Sequence, residues 1–378
     1  MAHVAVVTWA PGGNLPPLLA AGQVMAARGH PVTVLASAAT RGEAERLGLN
    51  LRRYAHAPDP DVSVEFERQA QTMMGLAAGI EVARDVRDLL VETGATLAVV
   101  DCMLPAGLAA AQAAGTRTVS LVHFPYGLAR GRLAAGDAWT TDLRTLDATR
   151  RTLGLAPTAD ALSAWEAVDL VLVTAPRWFD ADAGFPAHVV HAGPLGVRVA
   201  GATAAAGAGR VLLSFSTTVM VGQPELIQRA VDAIAGAGLD ATLTLGPAAE
   251  VSGLSLPHGL EVIGWADHDA LLSTCGAVVT HGGLGTTLRA LAHGVPLVLL
   301  PLGRDQGFNA ARVDELGAGI RLDARASAAA IGHAVDDVLS DPRYAAAAAD
   351  LAARIAADEP DATAAQALER CGAEGGLP

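Results

Sequence analysis

The chain has 378 residues, 51% of them hydrophobic and only 17% charged. That is more material than one core usually serves, so two folded domains are expected and a disordered polymer is excluded. A net charge of −13 and a pI near 5.2 leave no basic face for a phosphate backbone, so no nucleic-acid partner is expected. All 26 basic residues are arginine, which excludes a Walker-type phosphate loop and a lysine Schiff base, since both need the amine itself.

Cys102, Cys275 and Cys371 are odd in number and far apart, so neither a disulfide framework nor a zinc site is implied and a reducing cytoplasm fits. The start, "MAHVAVVTWAPGG", has no basic leader, and no apolar run approaches the ~18 residues of a membrane span. A cytoplasmic protein without stable membrane insertion is expected.

In chain order, apolar runs alternate with helical periodicity. Strands are expected at 3–9, 31–37, 96–100 and 116–122, with helices at about 16–28, 41–47 and 105–114. Runs without strict polar alternation are what strands buried on both faces require, so the sheet is parallel and flanked by helices. The stretch 58–79, with "APDPDVSVEF" and "TMMG", reads as a long loop or irregular helix at the C-terminal edge of the sheet. "AGPLGVRVAGATAAAGAG" at 192–209 is the linker candidate. The alternation then restarts, with strands at 210–215, 240–245, 259–264, 277–280 and 296–300, and helices at about 223–235, from Asp267, 285–293, 306–316, 326–339 and 345–357. The fold class is therefore α/β, two doubly wound Rossmann-like domains with parallel sheets facing across a cleft. The division is 1–195, completed by a C-terminal helix at 360–378, a linker at 196–209, and a second domain at 210–359.

The chemistry concentrates in the second half. In "THGGLGTT" (280–287), Gly282, Gly283 and Gly285 let the backbone turn tightly and approach a ligand, and the helix that follows presents free N–H groups and its positive dipole end. With His281, Thr286 and Thr287 as added donors this is an anion site, one that holds a diphosphate without lysine; the competing reading is an ordinary glycine-rich turn with capping threonines. Asp305 and Gln306 in "GRDQGFNA" offer an acceptor and an amide suited to vicinal hydroxyls, or a helix N-cap. Trp265 in "GWADHDALL" offers a stacking face for a nucleobase, or a core side chain.

The order and spacing of Trp265, His281-Gly-Gly and Asp305-Gln306 resembles the donor-binding signature of family 1 glycosyltransferases with the GT-B fold. The likeness is greatest to the bacterial branch acting on antibiotics and other natural products. It is specific between Trp265 and Ala310 and elsewhere lies in the layout. The resemblance implies that Trp265 stacks on the donor base, that His281 with Thr286 or Thr287 holds the diphosphate, and that Asp305 and Gln306 bind sugar hydroxyls. It also implies that Ser216 and Thr217 lie near the phosphates, where relatives carry Gly-Thr. Arg289 stands where plant relatives have a ribose-binding glutamate. The partners implied are a UDP- or dTDP-sugar as co-substrate and a small-molecule acceptor, with no resident cofactor and with homodimerisation open.

The acceptor side departs from the pattern. The family's general base is a histidine after the first strand, oriented by a distant aspartate; here "PGGNLPP" puts Asn14 at the base position, while Asp101 matches the partner. An amide cannot take a proton near neutral pH. Three readings stay open: Asp101 is the base, its pKa raised by burial; another residue serves, His123 being the best placed; or the acceptor is an amine, phenol or activated ring carbon needing little help. Gly13, Phe124, Tyr126 and Trp139 are the acceptor-side candidates, within the irregular stretches 56–79 and 124–140 and the Asn14 loop.

Asp-x-Asp look-alikes occur at 59–61, 180–182 and 267–269; two lie in loops and the third opens a helix, so no metal site is expected. No G-x-G-x-x-G follows a strand and no G-x-S-x-G occurs, leaving hydride transfer and hydrolase chemistry without their motifs. The reading is an inverting, metal-independent hexosyltransferase. The alternatives are a non-catalytic glycosyltransferase-like partner, or a sugar-nucleotide epimerase or lipid-intermediate transferase of the same fold.

Overall fold

The computed structural model describes residues 2–9, 12–59, 66–134, 142–181, 184–199, 209–218, 220–245, 253–264 and 266–373. Among these, two compact units separate at Gly196/Val197 and again at Asp358/Glu359. The first contains β1 (Val4–Val7), α1 (Leu15–Ala27), β2 (Val32–Ala36), α2 (Arg41–Arg46), β3 (Asn50–Arg53), α3 (Phe66–Ala77), α4 (Ile80–Thr93), β4 (Leu97–Asp101), α5 (Pro105–Ala113), β5 (Arg117–Val122), α6 (Tyr126–Ala134), α7 (Leu143–Thr152), α8 (Ala161–Glu166), β6 (Leu170–Val173) and β7 (Val189–His191). The second contains β8 (Val211–Ser214), α9 (Gln223–Ala237), β9 (Ala241–Thr244), β10 (Glu261–Ile263), α10 (His268–Leu272), β11 (Ala277–Thr280), α11 (Leu284–Ala292), β12 (Leu297–Leu299), α12 (Gln306–Glu315), β13 (Gly319–Arg321), α13 (Ala328–Ser340) and α14 (Pro342–Ala357). The last helix, α15 (Pro360–Gly372), belongs to the first unit.

Both sheets are parallel throughout. The first has the order β3-β2-β1-β4-β5-β6-β7 and the second β10-β9-β8-β11-β12-β13, so each chain path starts in mid-sheet, runs to one edge and returns to the other. The reversal falls between β1 and β4 in the first unit and between β8 and β11 in the second. Burial explains the strand sequences: Val4 and Val6 face one core, Ala5 and Val7 the other, and all four are 0% exposed. With no polar face available, "VAVV" and "AVVT" are apolar at every or nearly every position.

Helix α15 closes one face of the first sheet, its Ala364, Ala367, Leu368 and Cys371 sharing a core with Leu18 and Leu19 of α1 and with Val4 and Val6. The segment read as irregular is more ordered than expected: after residues 60–65, outside the described residues, come the regular helices α3 and α4. Of the linker candidate, 200–208 lie outside the described residues. No helix among the described residues is long and apolar enough to cross a membrane.

Leu368→Ala removes a side chain that is 0% exposed, far in sequence from the core it fills. It is expected to destabilise the first unit by about 3 kcal/mol, lost transfer energy plus cavity, seen as an earlier transition in calorimetry; an unshifted transition would show that α15 is not part of that core.

Candidate functional site

In the first unit, the strand-order reversal places three polar side chains together. Asp101 ends β4, and the parallel pairing of β4 with β5 aligns Asp101 with Leu121, so His123, just past β5, arrives beside it. Asn14 occupies the N-cap position of α1, beyond β1, without capping the helix. Its amide instead donates to Asp101 Oδ2 (2.7 Å) and to Thr8 Oγ1 (3.2 Å). Asp101 Oδ1 accepts from the Met103 N–H (2.9 Å) and from His123 Nε2 (3.1 Å). A carboxylate only accepts, so this contact puts a proton on Nε2; whenever the ring is neutral, Nδ1 is its basic nitrogen.

Asp101 is 1% exposed. Burial alone would raise its pKa, as expected from the sequence. The structure reverses that expectation: the charge and hydrogen bond of His123, with the Met103 N–H and the Asn14 amide, outweigh burial and hold the carboxyl below its ordinary value. A weakened base with both oxygens engaged is a poor proton acceptor and a good orienting group. Cys102 completes a group whose ligand-type atoms lie within 4.8 Å of one another. Burial, then the Asp101 charge, push its thiol well above the usual range, which keeps it protonated.

The aromatic candidates divide. Phe124 packs edge-on against His123, ring centroids 5.1 Å apart, and against Trp165 at 5.4 Å. Tyr126 is 0% exposed, its hydroxyl donating to Glu166 and its ring stacked on Phe185. It is a core residue, and the expectation that it touches an acceptor is corrected. Gly13 is exposed, and a Cβ there would meet nothing within 4 Å. Trp139 lies outside the described residues.

In the second unit the reversal lies between β8 and β11. Past β8, Ser216 Oγ accepts from the Thr218 N–H (3.1 Å) and pairs with the Thr218 hydroxyl (2.9 Å), while Thr217 is exposed. Past β11 comes His281. Two glycines are demanded here for different reasons: Gly282 has φ +85°, and a Cβ on Gly283 would stand 2.8 Å from His281 Nε2. The first α-helical bond of α11 runs from Thr287 N–H to Gly283 C=O (3.0 Å), so the N–H groups of Leu284, Gly285 and Thr286 precede the ladder and have no partner within the helix. A Cβ at Gly285 would meet nothing within 4 Å.

His281 is 6% exposed. Burial, then the charge of Arg304, lower its pKa to about 4 against a hydrogen bond with the Ser214 backbone, so at neutral pH the ring is uncharged. Thr286 is half-buried, whereas Thr287 is 0% exposed and its expected ligand contact is corrected: the hydroxyl faces the protein interior. Gln306 is likewise buried, its Oε1 accepting from the N–H groups of Leu302 (2.8 Å) and Gly303 (3.1 Å) and its Nε2 directed at Met220 Sδ (3.3 Å). It ties its own loop, so the expected direct hydroxyl contact is corrected. Asp305 is half-buried and accepts from Asn309 Nδ2 (2.8 Å), which also donates to the Gly282 carbonyl (2.9 Å). This locks the β12 loop to the β11 turn. Arg289 donates to Asp269 Oδ1 (2.8 Å) beside His293 (3.0 Å); despite burial, those two partners bring the Asp269 carboxyl down to about 2. Asp267 caps α10. Trp265 lies outside the described residues.

The sequence reading missed Arg304 and Thr218, whose hydroxyl accepts from Arg304 Nη2 at 3.4 Å. The signal available was the arginine inside a glycine-containing turn directly before Asp305.

His281 titrates near 6.5 unfolded and near 4 folded. Below pH 6.5 the unfolded chain binds the proton first, so stability falls as pH drops from 6.5 to 4, by about 3 kcal/mol in all, and is independent of this group above 6.5. Denaturant titrations of the second unit's transition between pH 4 and 7 should show this slope, and His281→Asn should remove its share; an unchanged slope would contradict a buried neutral imidazole.

Known proteins resemble the chain in sequence over its second half and in fold over its whole length. Residues 228–370 match the family described as erythromycin biosynthesis protein CIII-like, C-terminal domain. The 3-alpha-mycarosylerythronolide B desosaminyl transferase of Saccharopolyspora erythraea is 42% identical over 96 residues, 25% of this chain and 23% of that protein. The sterol 3-beta-glucosyltransferase of Aspergillus fumigatus is 32% identical over 167 residues, 42% of this chain and 12% of that protein. The chain thus spans less than a quarter of the length of these relatives. A solved structure described as the glycotransferase of kitacinnamycin superposes with a TM-score of 0.79 at 26% identity, covering 98% of this chain and 99% of that one. With both parallel-sheet units and the His281-Gly-Gly to Asp305-Gln306 spacing in place, the chain has the two-domain GT-B fold and is similar to glycosyltransferases of the bacterial natural-product branch.

Proposed function

We propose that the chain moves a hexosyl or deoxyhexosyl group from a UDP- or dTDP-sugar, held by the second unit, to a small natural-product acceptor held by the first. The observation that carries this reading is the pair of buried Asp101 and half-buried His123, with Asn14 as its third member, at the strand-order reversal of the first unit. It supplies a base where the family position holds an amide.

His123 Nδ1 takes the proton of the acceptor nucleophile while Nε2–H stays on Asp101. The imidazolium that forms is stabilised by a carboxylate already ionised, and Asn14 satisfies that carboxylate's other oxygen. The acceptor atom forms its bond to the anomeric carbon as the bond from that carbon to the phosphate oxygen breaks, so a single displacement inverts configuration. Negative charge then develops on the diphosphate, where the Leu284–Thr286 N–H groups and neutral His281 receive it, each well-aimed donor contributing roughly 3–4 kcal/mol. The nucleotide sugar is a co-substrate, and in this reading no metal is needed. With His123 as base the acceptor need not be a phenol or amine; an alkyl hydroxyl is within reach. Desosaminyl transfer and sterol glucosylation, the reactions named for two relatives, are consistent with that class.

Incubation with UDP- and dTDP-sugars and a panel of phenolic and aliphatic aglycones, read by mass spectrometry, tests the proposal. His123→Ala should lower kcat by about 10²–10⁴-fold with donor affinity unchanged, and Asp101→Asn should act similarly. His123→Ala within threefold of the wild type would remove His123 as base. Donor binding with no transfer or donor hydrolysis by the wild type would mark a non-catalytic partner instead.

A further inference from the structure

Arg304 is one of two non-glycine residues with positive φ among those described, at +58°. This is the left-handed region, which costs an L-residue steric strain and which Gly or Asn normally fills. Gly303 sits directly before it, yet the chain spends the left-handed conformation on the arginine. The turn is held from within: Gln306 accepts from the Leu302 and Gly303 N–H groups, and the Gln306 N–H donates to the Gly303 carbonyl (3.2 Å). Strain kept by a buried clamp is a feature of functional positions.

The side chain's surroundings give that strain a purpose. Arg304 Nη2 reaches Thr218 Oγ1 at 3.4 Å, in the turn after β8. Its charge also contributes to lowering the His281 pKa, so the guanidinium lies close to the end of β11. It therefore spans from the β12 turn to both strands of the reversal. Arg289, on α11, pairs with the ionised Asp269 at 2.8 Å. The chain has no lysine, and His281 is neutral.

We infer that Arg304 is the cationic ligand of the leaving diphosphate, its forked N–H donors complementing the uncharged N–H groups at the α11 N-terminus. The inference rests on the proposed nucleotide-sugar reading and deepens it. A guanidinium gives two parallel donors to phosphate oxygens, an ammonium only a point charge, and the strained backbone aims that fork at the turn.

The test titrates uridine, UMP, UDP, thymidine and dTDP into the wild type and into Arg304→Ala, Arg304→Lys and Arg304→Gly by calorimetry. Glycine suits the left-handed backbone, so Arg304→Gly retains the turn and should melt no lower than the wild type. The diphosphate matching the donor should bind about 10–100-fold more weakly to Arg304→Ala and Arg304→Gly, with only partial recovery in Arg304→Lys and with the nucleoside unchanged. The wild-type preference for diphosphate over nucleoside should also fall more steeply with salt than that of the variants. Equal diphosphate affinity in wild type and Arg304→Gly would overturn the Arg304 assignment while leaving the transferase reading intact, as would equal losses for nucleoside and diphosphate. A wild type that binds neither UDP nor dTDP would overturn the transferase reading itself.

Discussion

A strand buried on both faces has nowhere to display a polar side chain except beyond its end. In a doubly wound sheet the neighbouring connections diverge where the strand order reverses, so chemistry gathers at the carboxyl ends of those two strands. Both units obey this constraint. The β1/β4 reversal carries Asn14 and Asp101, with His123 from the adjacent strand; the β8/β11 reversal carries the Ser216–Thr218 turn and His281-Gly282-Gly283. Among the described residues, the candidate site of each unit is arranged by which apolar runs come to lie side by side.

The environments of Asp101 and His281, both buried, show how the same burial is turned to opposite ends. At Asp101, burial works against the charge but is outweighed by His123 and two N–H donors, and the carboxylate stays ionised. At His281, burial and a nearby guanidinium act together, and the ring stays neutral. In the proposed reading, one centre receives a proton beside a fixed negative charge, and the other adds no positive charge of its own to the anion site. In an acidic chain without lysine, the second arrangement leaves the cationic share of any anion site to arginine, with backbone amides as uncharged donors.

Much of this was legible in the sequence because it is carried by contiguous patterns. The apolar runs became strands close to the expected bounds, and the glycine pair after Thr280 marked the turn into α11. β6, "LVLV", is a plain buried apolar run that the expected strands left out; the rest of what was not legible depends on tertiary placement. β3, with two exposed residues, β7, with none buried, and β13 lack a fully apolar run, and these peripheral strands owe their existence to a neighbour. The His123–Asp101 contact spans 22 residues; its trace is that two successive strands, "TLAVVD" and "TVSLVH", both end on a polar residue, which becomes a contact only once they pair in parallel. The reversal in Asp101 ionisation follows from that contact, since burial alone predicts the opposite. Gln306, Thr287 and Tyr126 carry polar groups that suit ligands on paper, but each faces the interior, where Gln306 and Tyr126 also meet protein partners.

The central claim is that an anion is held by backbone amides at the strand-order reversal of the second unit. A crystal structure with UDP or dTDP bound tests it most directly. The account predicts diphosphate oxygens about 3 Å from the N–H groups of Leu284–Thr286 and from the ring of His281. A nucleotide whose phosphates lie away from the α11 N-terminus, on the first unit or at another strand end of the second, would contradict it.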